Sequence, residues 1–164
     1  MTVAWLREMG VPDPATPRGA APVGLLADLP AVECGAVLAL RLWCDGGAAR
    51  ARLMADFTLA FGPARAGQEL DLLAELIRLV LQGGRRKLMR HAADCPCLGG
   101  DESAFAQMIG AAAAGAREDA LIFALALMGP QAAFAAVPLA GTVGLTLLSL
   151  GRRLAGPPTD TSRH

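Results

Sequence analysis

The sequence has few aromatic residues and no excess of charge of either sign. Phe, Trp and Tyr together make up 4% of its 164 residues, and Tyr is absent. Lys and Arg number 15, as do Asp and Glu, so the formal net charge is zero. Because nucleic-acid-binding proteins usually carry a basic surplus that neutralises phosphates, this balance disfavours a nucleic-acid partner.

Targeting and catalytic motifs are also scarce. The first residues lack the basic region and the long apolar run of a signal peptide, so we expect a cytoplasmic protein. Its four cysteines, Cys34, Cys44, Cys95 and Cys97, are then expected to stay reduced. There is no Gly-x-Ser-x-Gly, no His-Glu-x-x-His and no phosphate loop. The sequence therefore assigns no catalytic residue, and it leans away from an enzyme without excluding one.

What the sequence does contain favours helices. Apolar residues make up 54% of the chain and are mostly Ala, Leu and Val, of which Ala and Leu are strong helix formers. Residues Leu70, Leu73, Ile77 and Val80 recur at helical spacing, and no segment alternates like a half-buried strand. We predict an all-α, compact, single-domain helical bundle of about five to seven helices over residues 23–155. A short N-terminal helix and a Pro-rich connector (1–22) precede it, and a disordered tail (156–164) follows.

One short stretch, residues 91–102, concentrates the side chains that bind metals. A short helix predicted over residues 85–94 places His91 and Cys95, four residues apart, on one helix face. Cys97 follows across a proline turn, and Asp101 or Glu102 supplies a carboxylate. Thiolate, imidazole and carboxylate are ligands that zinc accepts in a tetrahedral site. The sequence therefore predicts a structural zinc site that ties the helices on either side of the turn.

The spacing His-x3-Cys-x-Cys is similar to the His-x3-Cys-x2-Cys of zinc-containing anti-sigma factors, with one residue fewer between the thiols. The resemblance covers this turn alone and is a chemical analogy. Three further carboxylates are weaker candidates for outer hydrogen-bond partners of the ligands. They are Asp94, Glu118 and Asp119.

A basic cluster precedes the turn and consists of Arg85, Arg86, Lys87 and Arg90. Such a run is most often a solvated face, and a weaker interpretation makes it an anchor for an anionic group or an acidic partner. In a catalytic alternative, Cys95 or Cys97 is a nucleophile with His91 as its base, and the basic cluster lowers the thiol pKa.

The C-terminal part of the chain leaves two interpretations open. No residue between Asp119 and Arg152 is charged, so residues 120–150 suit a buried core helix or a membrane-associated helix. Three functions therefore remain compatible with the sequence. The first is a small regulatory or adaptor protein that binds a protein partner or a second copy, with zinc as its only expected cofactor. The others are a thiol-dependent redox or catalytic protein and a membrane-associated protein.

Overall fold

The fold follows from a computed structural model, which describes residues 17–156. That part of the chain contains six α-helices, and the prediction of an all-α bundle of five to seven helices is confirmed. The helices are α1 (Ala31–Asp45), α2 (Gly47–Phe61), α3 (Pro63–Gly83), α4 (Gly100–Ala113), α5 (Arg117–Leu127) and α6 (Pro130–Ala155). The predicted N-terminal helix and nearly all of the predicted tail lie outside the described residues.

Glycine or proline residues stand where one helix ends and the next begins. Gly46 and Gly62 adopt positive φ angles of 66° and 80°, which glycine reaches without a steric penalty, and each ends one helix as the next begins. Pro63 and Pro130 occupy the first turns of α3 and α6, where a missing N–H has no cost. These positions explain the sharp reversals of the bundle.

The longest helix, α6, lies in the centre of the bundle. It packs against each of the other five helices described above. Its buried face consists of small and medium side chains, such as Ala133, Ala136, Ala140 and Val143. By length and composition α6 could also cross a membrane, and 44% of its most apolar window is buried inside the bundle. Less than half of that window is buried, so the core-helix and the membrane-associated interpretations of residues 120–150 both remain predictions.

The bundle also carries one small antiparallel sheet, which no alternating pattern in the sequence indicated. Strand β1 (Pro22–Leu25) pairs antiparallel with β2 (Cys97–Gly99), so that Leu25 lies opposite Cys97 and Gly24 opposite Leu98. Both strands are too short to show alternation in the sequence. This small sheet holds the segment before α1 against the segment before α4.

The helix predicted over residues 85–94 is also absent, since the chain from 85 to 96 is irregular. The physical reason lies in where its backbone donors go. The N–H groups of Met89 and His91 donate to the carboxylates of Asp101 and Glu102 instead of to carbonyls one turn earlier. His91 and Cys95 therefore do not share a helix face.

Candidate functional site: the Cys-Pro-Cys turn and its buried network

A fully buried ion pair lies beneath the Cys-Pro-Cys turn (residues 95–97). Arg41, from the middle of α1, and Glu102, from the first turn of α4, both have side chains with 0% exposure. The Arg41 Nε donates to Glu102 Oε1 at 2.6 Å, and its Nη2 donates to Oε2 at 2.9 Å. The parallel geometry of the two hydrogen bonds is the strongest form of an arginine–carboxylate contact.

The remaining donors of Arg41 hold the turn itself. Nη1 donates to the carbonyl oxygens of Ala92 at 3.0 Å and Cys95 at 2.7 Å, and Nη2 donates to that of Cys97 at 2.6 Å. A guanidinium has five N–H groups, and each of them here has an acceptor. The backbone from residue 92 to residue 97 is therefore wrapped around one buried cation.

Glu102 completes the network from the other side. Its carboxylate accepts from the backbone N–H groups of His91 at 3.0 Å and Gly99 at 2.9 Å, and it lies 3.0 Å from His91 Nδ1. The contact with Gly99 is one half of a helix capping box, in which the third helical residue binds the N–H of the residue before the helix. No buried side-chain nitrogen or oxygen within residues 17–156 lacks a partner.

These donors decide the charge of Glu102. Burial by itself would raise the pKa of the carboxyl, since it disfavours the charged form. The hydrogen bonds from Arg41, Gly99 and His91 outweigh that cost and lower the pKa from 4.5 to about 2. Glu102 is therefore ionised at neutral pH, and its charge is matched by that of Arg41.

The neighbouring Asp101 fixes the start of the same loop. Its carboxylate receives two hydrogen bonds from Arg86, at 2.6 and 2.7 Å, and one from the N–H of Met89 at 2.8 Å. Gly19 lies so close that a Cβ added there would be 2.3 Å from the carboxylate. The two adjacent carboxylates of α4 thus bind the segment 86–91, while the backbone N–H of Asp101 donates to the carbonyl oxygen of Gly19 before β1 at 2.9 Å.

Both thiols of the turn are partly exposed and close to each other. The pKa of the Cys97 thiol is raised, first by its side-chain hydrogen bond with Cys95 and then by Coulombic interaction with the same thiol. The positive charge of Arg41 opposes this shift. Cys95 and Cys97 therefore form a dithiol next to a fixed cation.

The residues predicted as zinc ligands lie near one another, but several of their donor atoms are already in use. Asp101 and Glu102 accept hydrogen bonds from the loop, and His91 directs Nδ1 at Glu102. Across the part of the chain that is described, no group of three or more His, Cys, Asp or Glu side chains is arranged to hold a metal ion. A zinc site at His91, Cys95 and Cys97 with one of the carboxylates remains a prediction that requires rearrangement of this network.

The basic cluster divides into two pairs. Arg86 binds Asp101, and Arg90 binds Asp45 at the end of α1 at 2.5 Å. Arg85 and Lys87 have exposed side chains. Half of the cluster therefore fastens the loop to the helices, and an anionic partner for the exposed half stays a prediction.

The weaker carboxylate candidates lie apart from one another. Asp94 is exposed beside the turn, whereas Glu118 and Asp119 are exposed in the first turn of α5. The turn lies at the start of α4 and α5 follows its end, and 14 helical residues span about 20 Å. Nothing in the described hydrogen bonds connects Glu118 or Asp119 to the turn.

A groove borders the turn on its outer side. It has a volume of about 370 Å³ and lies between α1, α2 and the last turns of α6, with Ala93 and Asp94 at one edge. Its wall is largely formed by leucines: Leu38, Leu42, Leu53, Leu147, Leu150 and Leu154. Arg52 and Asp56 also lie along it. The groove and the dithiol are thus neighbouring features of one surface.

Arg41 is the functional residue that sequence reasoning missed. The signal was present, since Arg41 is the only charge in the apolar run 36–44 and is flanked by Leu40 and Leu42. A charge in such a position is rarely buried unless it is paired. The sequence offered no means of finding the partner, because Glu102 is 61 residues away.

Comparison with protein-family models, with curated proteins and with solved structures found no match for this chain.

Proposed function

We propose that this chain is a small helical regulatory or adaptor protein, and that it binds a helical segment of a protein partner in the groove between α1, α2 and α6. The observation that carries the proposal is the groove itself, which is apolar, open to solvent and lined from three helices. Leu38 and Leu154 remain 37% and 45% exposed there. Exposed leucines that line a concave surface are typical of protein interaction sites.

The chemistry of the groove specifies the kind of partner. An amphipathic helix lays apolar side chains from successive turns into a groove of this type. The charged residues of the groove are Arg52, Asp56 and Asp94, with a net charge of −1. A helix that presents leucine-like anchors flanked by a basic residue therefore matches the groove best. We also propose that the protein binds this partner helix in the cytoplasm.

Two glycines allow the groove to be filled without damage to the fold. A Cβ added at Gly35 or at Gly151 would meet no atom within 4 Å, and both residues line the groove. Gly35→Leu should therefore occupy the groove while it improves the helix propensity of α1. Gly67 in α3 is a matched control, because it is exposed, equally free of neighbours and outside the groove.

The experiment uses a displayed library of amphipathic helical peptides, selected on the wild-type protein and measured by fluorescence anisotropy. We expect the selected peptides to bind wild type and Gly67→Leu with equal Kd, and Gly35→Leu at least tenfold more weakly. Peptides that bind all three proteins equally would contradict the proposal. A dimer that sedimentation detects in wild type and that Gly35→Leu dissociates would assign the groove to a second copy instead.

A further inference from the structure

The Cys-Pro-Cys turn has a chemistry of its own that partner binding does not use. We propose that Cys95 and Cys97 form a two-coordinate thiolate site for a soft monovalent cation, Cu(I). The site is independent of the groove, and its test does not depend on the proposed partner.

The backbone of the turn points both thiols in one direction. The carbonyl oxygens of Cys95 and Cys97 both accept from Arg41, at 2.7 and 2.6 Å. The side chains of the two residues are also hydrogen-bonded to each other, and Cys97 begins β2. The two sulfur atoms therefore stand side by side on the surface of the turn.

The number of free donors selects the ion. Zinc takes about four ligands, but Asp101, Glu102 and Nδ1 of His91 are engaged elsewhere. The two thiolates are the only sulfur donors of the turn, and soft thiolate ligands select Cu(I). Within the described residues no cluster of three potential ligands competes with this pair.

Charge also fits a monovalent ion. Two thiols and one Cu(I) give a complex of charge −1 and release two protons, which leave for solvent. The guanidinium of Arg41, which is hydrogen-bonded to both carbonyls, supplies a counter-charge to this anionic complex.

The test is an anaerobic Cu(I) titration of the full chain against the chromophoric chelator bicinchoninate. The variants are Cys95→Ser, Cys97→Ser and the double control Cys34→Ser/Cys44→Ser. We expect one Cu(I) per wild-type chain and per control chain, at least a hundredfold weaker binding in either turn variant, and X-ray absorption typical of two sulfur ligands.

Three results would overturn the proposal. One is equal Cu(I) affinity in wild type and both turn variants. Another is loss of binding in the control, which would place the ion at Cys34 or Cys44. The third is stoichiometric zinc in the purified protein that is lost in the turn variants and in His91→Ala, since that result would restore a four-ligand site.

Discussion

The two ends of α4 meet their neighbours by opposite means. At its N-terminal end, Asp101 and Glu102 are buried carboxylates that bind a loop through hydrogen bonds. At its C-terminal end, α4 lies against α6 through small residues. A Cβ added to Gly144 of α6 would be 3.0 Å from the carbonyl oxygen of Ile109 and 2.7 Å from the Cβ of Ala113.

The difference shows which task each kind of contact performs. Close packing of apolar atoms stabilises a helix pair but does not specify the path of an irregular loop. A buried ion pair contributes little net stability, since its desolvation cost offsets most of the attraction. Its directional hydrogen bonds, however, restrict the backbone from His91 to Gly99 to a single conformation. We infer that the polar end of α4 holds the Cys-Pro-Cys turn in place, while the apolar end holds the bundle together.

The largest expected effect comes from removing one partner of the ion pair. Glu102→Leu leaves Arg41 buried without a counter-charge and should lower the free energy of unfolding by about 3–5 kcal/mol. Arg41→Met/Glu102→Leu removes both charges and should cost much less than the sum of the single variants. Chemical denaturation of the four proteins of this cycle measures the coupling. Additive effects would mean that Arg41 and Glu102 have no coupling free energy, and they would contradict the account.

Acid should weaken the polar end selectively. The pKa of Glu102 is lowered from 4.5 to about 2, so its contribution to stability is fully present above pH 4.5 and is lost as the pH falls through about 2. A shift of this size corresponds to about 3 kcal/mol. Urea denaturation between pH 5 and pH 2 measures the slope, and Glu102→Gln should flatten it. An unchanged slope in that variant would assign the acid sensitivity to other carboxylates.

The apolar end should respond to added volume instead of to charge or pH. Gly144→Val places methyl groups against Ile109 and Ala113 and should cost about 1–3 kcal/mol by overpacking. Its control is Gly67→Ala, where nothing lies within 4 Å, and we expect a gain of about 0.4–1 kcal/mol. Thermal unfolding compares the two. If Gly144→Val left the free energy of unfolding unchanged, α4 and α6 would have to lie farther apart than they do in the structure.

The sequence predicts the helical bundle correctly, but it does not predict the conformation of the segment that leads into the Cys-Pro-Cys turn. The apolar spacing from Leu70 to Val80 predicts α3, because an amphipathic helix is decided by residues near one another in the chain. The path of residues 85–96 depends on Arg41, which lies more than 40 residues earlier, and no local pattern reports that contact.

Chemical reasoning located the region but not the roles of its residues. The ligand types in residues 91–102 predict a shared site, and the structure does bring His91 and Glu102 together. The partner of Glu102 in the structure is the guanidinium of Arg41, and a metal ion at this carboxylate stays a prediction. A carboxylate can either coordinate a metal ion or accept hydrogen bonds from N–H groups, and the sequence around it does not distinguish the two.

The central claim is that the Arg41–Glu102 network positions the Cys-Pro-Cys turn. Amide hydrogen exchange of Arg41→Met/Glu102→Leu tests it most directly, with His91 and Gly99 as reporters, since both amides donate to Glu102. The account predicts that these two amides exchange at least a hundredfold faster than in wild type, while the amides of α3 and α6 keep their protection. Unchanged protection of His91 and Gly99 in a folded double variant would contradict it.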